Sequence, residues 1–149
     1  MEIERKFLIT ELPENLTQYN CRRIEQGYLC TAPVVRIRRQ DEEYYLTYKS
    51  KGMMVREEYN LPLTAEAYAH LREKTDGNLI SKQRYLIPLN ETLTAELDIF
   101  DAPFAPLMLA EVEFSSEEEA NSFVPPAWFG EDVTFSGKYH NSYLSCLKF

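Results

Sequence analysis

Residues 34–40 read VVRIRRQ, and the alternation inside this stretch decides the fold. In an extended chain successive side chains point to opposite faces. Arg36 and Arg38 therefore share one face, and Val35 and Ile37 share the other. The same period-two pattern, or a richness in β-branched and aromatic residues, runs outward in both directions. It marks strands at 2–9 (EIERKFLI), 22–29, 43–50 (EYYLTYKS), 55–61 (VREEYNL), 80–88 (ISKQRYLIP), 93–100 (LTAELDIF) and 107–114 (LMLAEVEF). With 34–40 these make eight. Breaks fall at Pro33, Gln40-Asp41, Ser50-Lys51-Gly52, Asn90 and Asp101-Ala102-Pro103, residue types that turns require.

Helical signals interrupt the strands twice and close the chain. Residues 64–75 open on Thr64 as an N-cap and end before Gly77. Residues 115–123 open on Ser115 and Ser116, with Glu118 and Glu119 three positions later in a capping-box pattern, and Pro125-Pro126 stops them. Residues 138–149 place Tyr139, Tyr143, Cys146 and Leu147 on one helical face. There is no linker or repeat, so residues 1–149 form a single domain. The fold class expected is α+β: an eight-stranded antiparallel β-barrel with a few peripheral helices. Closure also removes exposed sheet edges.

The charges sort by strand face and by sign. Acids occupy one face at Glu2 and Glu4, at Glu96 and Asp98, and at Glu111 and Glu113. Bases do so at Arg36 and Arg38, and at Lys82 and Arg84. Lys6, Lys49, Arg56 and Glu58 lie on the corresponding faces of their strands. A half-exposed sheet with apolar residues inside is the ordinary explanation for any one strand. A surface selected for solubility, however, mixes signs along a strand. An outside-in barrel accounts for the sorting: the charged faces line a wet tunnel, and the apolar faces pack outward under helices. Arginine and lysine then hold phosphoryl oxygens. Carboxylates hold Mg²⁺ or Mn²⁺, hard cations that take oxygen ligands.

The chain-wide numbers narrow the partners. With 44% hydrophobic and 27% charged residues, the composition is that of a folded globular domain. A net charge of −8 disfavours nucleic acid and anionic membrane as partners. Three cysteines, Cys21, Cys30 and Cys146, lack metal-site spacing and read as idle thiols of a reducing compartment. Charged residues at the N-terminus leave no signal peptide, and no apolar run reaches membrane-spanning length, so the expected location is cytoplasmic.

The ordered series of motifs resembles one family. Glu2-Ile3-Glu4-Arg5-Lys6 has the ExExK form that marks the CYTH superfamily, the triphosphate tunnel metalloenzymes. In order follow Gln26 to Leu29 (QGYL), Arg36 with Arg38, Lys49, Arg56 with Glu58, Lys82 with Arg84, Glu96 with Asp98, Glu111 with Glu113, and a KYHNSYL tail from Lys138. The resemblance covers essentially the whole chain and is strongest to short bacterial members.

It implies a charged tunnel and a metal-dependent reaction on a triphosphate. Phosphate binding is implied for Lys6, Arg36, Arg38, Lys49, Arg56, Lys82, Arg84 and Lys138. Metal binding is implied for Glu2, Glu4, Glu58, Glu96, Asp98, Glu111 and Glu113. Glu4, Lys49 and Tyr28 are the catalytic candidates, the last two as a proton-shuttling pair. One departure is Asn60, where relatives often carry an acid. His70 is read as solvent-facing and His140 as close to a tunnel mouth.

The expected function is hydrolysis of a small polyanion with Mg²⁺ or Mn²⁺. Inorganic tripolyphosphate comes first, and nucleoside or thiamine triphosphate next. The alternatives are a class IV-type adenylate cyclase, a non-catalytic polyphosphate-binding module, and a barrel whose charges form structural ion pairs. The resemblance also allows a homodimer.

Overall fold

The computed structural model describes residues 1–149. Its strands are β1 (Glu2–Leu8), β2 (Asn20–Thr31), β3 (Val34–Gln40), β4 (Glu43–Lys49), β5 (Val55–Arg56), β6 (Glu58–Pro62), β7 (Asp76–Pro88), β8 (Thr94–Phe100) and β9 (Met108–Glu113). They form one antiparallel sheet in the order β5-β1-β9-β8-β7-β2-β3-β4-β6. The two end strands, β5 and β6, are neighbouring lengths of one chain separated only by Glu57. β5 pairs with β1 and β6 pairs with β4, which curls the sheet into a nearly closed barrel. This explains nine strands where eight were expected. The stretch 55–61 changes partners at Glu57 and splits in two.

Three short helices decorate the barrel: α1 (Ala65–Arg72), α2 (Glu117–Ser122) and α3 (Asn141–Ser145). α1 starts where Thr64 Oγ1 accepts from the Ala67 amide at 3.0 Å, and buries Tyr68. α2 starts where Ser116 Oγ accepts from the Glu119 amide at 3.1 Å, while Glu119 Oε1 accepts in return from the Ser115 amide. These reciprocal bonds satisfy amides that a helix start leaves without partners.

The C-terminal segment departs from expectation. A 3-10 turn spans Gly137–Tyr139 before α3, and the buried side chains are Asn141, Leu144 and Ser145, with Tyr143 and Cys146 exposed. The turn rotates the helix relative to the continuous phase read from 138–149. α3 approaches β7 backbone to backbone at Gly77, whose φ is +68° and where a Cβ would collide with the Ser145 carbonyl oxygen. All three cysteines are free and exposed.

The apolar residues divide into two clusters on opposite sides of the barrel wall. Outward-facing Ile87, Ala95, Leu97, Ala110 and Val112 pack with Phe114 and Ala120 beneath α2 and the segment after it. The second cluster gathers Val34, Ile80, Phe100 and Leu109 with Leu144 of α3. These four strand residues share inward faces with Arg36, Lys82, Asp98 and Glu111 respectively, two positions along each strand. One end of the barrel interior is therefore filled with hydrocarbon and the rest with charge. No helix is long and apolar enough to cross a membrane.

Candidate active site

Strand register brings the charged side chains together. Glu4 lies opposite Glu113 and Lys6 opposite Glu111 across β1 and β9. Arg38 lies opposite Gln26 and Arg36 opposite Tyr28 across β2 and β3. Lys49 lies opposite Glu58 across β4 and β6, and Arg84 opposite Asp98 across β7 and β8. Directly opposed residues share a face, so each pair points into the barrel.

They enclose a cavity of about 200 Å³. Of its nineteen lining residues only two, Tyr28 and Val34, are hydrophobic. Six are cationic (Lys6, Arg36, Arg38, Lys49, Arg56, Arg84) and six are carboxylates (Glu2, Glu4, Glu58, Glu96, Glu111, Glu113). Most of these are nearly inaccessible: Glu2, Glu4, Lys6, Arg36, Lys49, Arg84 and Glu111 are all buried. Burial of so many charges costs several kcal/mol per ion unless each is paired.

The pairing is uneven. Lys49 Nζ reaches Glu2 at 3.1 Å and Glu58 at 3.3 Å. Lys6 Nζ reaches Glu111 at 3.4 Å. Arg56 stands 3.7 Å from Glu2 and 4.0 Å from Glu4, long for an ion pair. Three buried polar atoms make no hydrogen bond: Glu2 Oε1, Gln26 Nε2 and Arg36 Nε. Such groups cost free energy unless a ligand or solvent meets them.

The carboxylates split accordingly. Burial, with Glu111 and Glu2 nearby, holds Glu4 well above the usual carboxylate range. Burial raises Glu2 as well, aided by Glu58, against the pull of Lys49. Glu113 is raised by burial and by Glu2 and Glu58. Burial pushes Glu111 the same way, but Lys6, Arg84 and Lys82 outweigh it and keep this carboxylate well below its usual range. Among the bases, burial beside Arg36 and Arg84 pulls Arg38 down to about 9, so it remains charged at neutral pH.

Three of the residues singled out in the sequence do not line the cavity. Lys138 is exposed on the C-terminal 3-10 turn, outside the lining, because that turn carries Tyr139 and His140 toward the barrel. Lys82 and Asp98 point inward but lie beneath the lining, 0% and 1% exposed. Lys82 Nζ meets Asp98 at 2.7 Å and donates to Asn141 Oδ1 at 3.1 Å. Both Asp98 oxygens are taken by Arg84, at 2.7 and 2.9 Å. Asp98 is thus an anchor for two cations. With burial opposing, Arg84 and Lys82 hold it below its usual range, while burial drops Lys82 to about 7.

Five lining residues have no binding role expected from the sequence, although Asn60, His140 and the tail that carries Asn141 and Ser142 stand out there. Gln40, Asn60, His140, Asn141 and Ser142 all border the cavity. Asn60, the departure from an acid, accepts from Thr47 Oγ1 at 2.6 Å, and Thr47 accepts from Arg36. Gln26 accepts from Arg38 Nε at 2.9 Å, fixing that guanidinium. His70 is exposed, as expected.

The donor chemistry fits a hard divalent cation. The raised carboxylates offer oxygen ligands, and Glu2 Oε1 is buried without a donor. No three His, Cys, Asp or Glu side chains converge closely enough to hold an ion by themselves.

A barrel with inward cations and carboxylates in equal number defines a class of protein that binds a compact polyanion inside a sheet. The family model of the CYTH domain matches residues 1–133, and the chain belongs to that family. It is 40% identical to an inorganic triphosphatase of Nitrosomonas europaea over 147 residues, covering 97% of this chain and 96% of that protein. It is 34% identical to an inorganic triphosphatase of Acetivibrio thermocellus, covering 96% of this chain and 92% of the relative. The crystal structure of an inorganic triphosphatase superposes with a TM-score of 0.74 at 38% identity, covering 99% of this chain and 96% of that one.

Proposed function

We propose that this protein is an inorganic triphosphatase: it binds tripolyphosphate in the barrel and hydrolyses a terminal phosphoanhydride with the help of divalent metal ions, Mg²⁺ or Mn²⁺. The observation that carries this reading is the cavity itself, with six cations and six carboxylates around about 200 Å³. That is smaller than the roughly 300–1,000 Å³ of ordinary ligand pockets. It favours a bare phosphate chain over a nucleotide. The names of the relatives point the same way.

Charge arithmetic supports a metal partner. With all six carboxylates ionised the lining cations and carboxylates cancel in number, so an entering triphosphate leaves negative charge uncompensated. A divalent cation, which Glu2, Glu4 and Glu113 would hold, would supply that compensation and lower the pKa of a bound water. Magnesium characteristically takes one or two carboxylates and completes its shell with substrate oxygens. This suits a site in which Glu2, Glu4 and Glu113 are protonation-prone and incompletely paired, and in which no carboxylate triad stands ready-made.

The protein's own groups do the rest. Arg36, Arg38 and Arg84 grip phosphoryl oxygens through charge-assisted hydrogen bonds. Arg36 Nε, buried and unpartnered, is available for one. Lys6, Lys49 and Arg56 neutralise charge that develops on the transferring phosphoryl group. Glu4, held protonation-prone first by burial and then by Glu111, would give up its proton if it held a cation. Tyr28 and Lys49 both line the cavity, and Lys49 Nζ donates to Glu2, so a proton-shuttling role for the pair would require it to act through the substrate. The test is phosphate release from tripolyphosphate across added Mg²⁺ and Mn²⁺. Turnover that requires the ion supports the reading, and inactivity at every metal concentration removes it.

A further inference from the structure

Asn141, the first residue of α3, borders the cavity and is 9% exposed. The surface recess beside the cavity takes His140 and Ser142 from the same segment but not Asn141. The segment is tied in place around it. Lys6 Nζ donates to the Tyr139 carbonyl at 3.2 Å, and Asn78 Nδ2 to the Leu147 carbonyl at 2.6 Å. Leu144 packs in one cluster with Ile80, Phe100 and Leu109. A side chain carried on such a segment is ordered before a ligand arrives, which lowers the entropy cost of binding.

The partner of the Asn141 amide settles which way it is turned. Lys82 Nζ, from β7, lies 3.1 Å from Asn141 Oδ1. An ammonium has three donors and no acceptor, so it meets the oxygen of an amide and not the nitrogen. Lys82 is 0% exposed beneath the lining and is pinned there by Asp98 at 2.7 Å. The amide oxygen is thereby committed to the layer below the cavity. Asn141 Nδ2 donates to no protein atom and is not sealed from solvent, unlike the buried Nε2 of Gln26. The wall thus presents a neutral donor that leaves the balance of six cations against six carboxylates untouched.

We propose that Asn141 is a substrate-binding residue whose side-chain NH2 group, held in orientation by Lys82, donates a hydrogen bond to a phosphoryl oxygen of the bound chain. This rests on the triphosphatase reading of the cavity and adds to it an uncharged contact from the C-terminal segment.

Two variants of the full-length protein test it, compared with wild type by calorimetric titration with tripolyphosphate, with and without Mg²⁺, and by steady-state kinetics. Asn141→Asp keeps an oxygen for Lys82 and loses the donor. Asn141→Ala loses both and adds no charge. Each should bind tripolyphosphate about tenfold more weakly or worse, as expected for a lost hydrogen bond to a charged group, with KM rising by more than kcat falls. The melting temperature of Asn141→Asp should stay near that of wild type, because Lys82 retains its partner. Weakening in Asn141→Asp alone would be charge repulsion, and weakening in Asn141→Ala alone would be the lost acceptor for Lys82. Either result, or unchanged binding in both, overturns the inference. Wild type that binds tripolyphosphate without cleaving it, while both variants bind weakly, removes the hydrolase reading and keeps this one. Hydrolysis with unchanged affinity in both variants does the reverse.

Discussion

Arg84 grips Asp98 with two hydrogen bonds, Nε to Oδ1 at 2.7 Å and Nη2 to Oδ2 at 2.9 Å, while Lys82 closes on Oδ2 at 2.7 Å. Asp98 is 1% exposed and has no oxygen left for an ion. The carboxylate holds up the floor of the site. Asp98→Ala strands two buried cations, which typically costs about 3–5 kcal/mol. Urea denaturation should show that loss, while the metal concentration giving half activity in the folded fraction stays unchanged. A shifted metal requirement with intact stability would instead make Asp98 a ligand.

Glu4 carries a different kind of cost. Burial beside Glu111 and Glu2 raises its pKa, so the folded state favours its protonated form. A raised carboxyl pKa contributes stability at low pH that is lost as pH rises through the folded value. Glu4→Gln should therefore raise the melting temperature of metal-free protein at pH 8 by several degrees. The gain should fade near pH 4, where the native carboxyl is itself protonated. The same variant should lose activity by orders of magnitude, a stability–function trade-off at one residue. A melting temperature unchanged at pH 8 would show that Glu4 is not strained.

His140 should titrate far from the usual imidazole range. Burial with Lys6 and Arg56 nearby lowers its pKa from 6.5 to about 4. A depressed value means that stability present above 6.5 is lost as pH falls through about 4. NMR of the ring protons should place the midpoint near the lower figure. An ordinary midpoint would mean that the C-terminal segment does not seat against the barrel.

Arg38 and Lys138 separate the cavity from the surface. If Arg38 binds phosphate as proposed, Arg38→Ala should raise KM for tripolyphosphate roughly 10–100-fold. Lys138→Ala, on an exposed turn outside the lining, should leave kcat/KM unchanged. Steady-state kinetics of the two variants decides between this geometry and the linear motif series, which treats both as phosphate ligands.

The period-two sorting of charge was enough to read the barrel and most of its lining, because a strand fixes which face each residue joins. Arg36, Arg38, Lys49, Glu111 and Glu113 needed no tertiary information. The change of partner falls at Glu57, where the apolar face of Val55, Tyr59 and Leu61 is interrupted by a charge; one polar residue on that face does not by itself say that the strand switches neighbours. Nor did alternation reveal depth. It placed Lys82 and Asp98 on the inward face but could not show that they lie beneath the cavity. The apolar inward positions Ile80, Phe100 and Leu109 passed unnoticed for the same reason. His140, Asn141 and Ser142 reach the site through a 3-10 turn and a backbone contact at Gly77, and neither leaves a periodic trace.

The central claim is that the inward charges form a working triphosphate site. Phosphate release from tripolyphosphate, followed with Mg²⁺ or Mn²⁺ and again after chelation, tests it most directly. Multiple turnovers with the ion, abolished by chelator and restored by adding the ion back, are predicted. A folded protein that cleaves no tripolyphosphate with either ion contradicts the account.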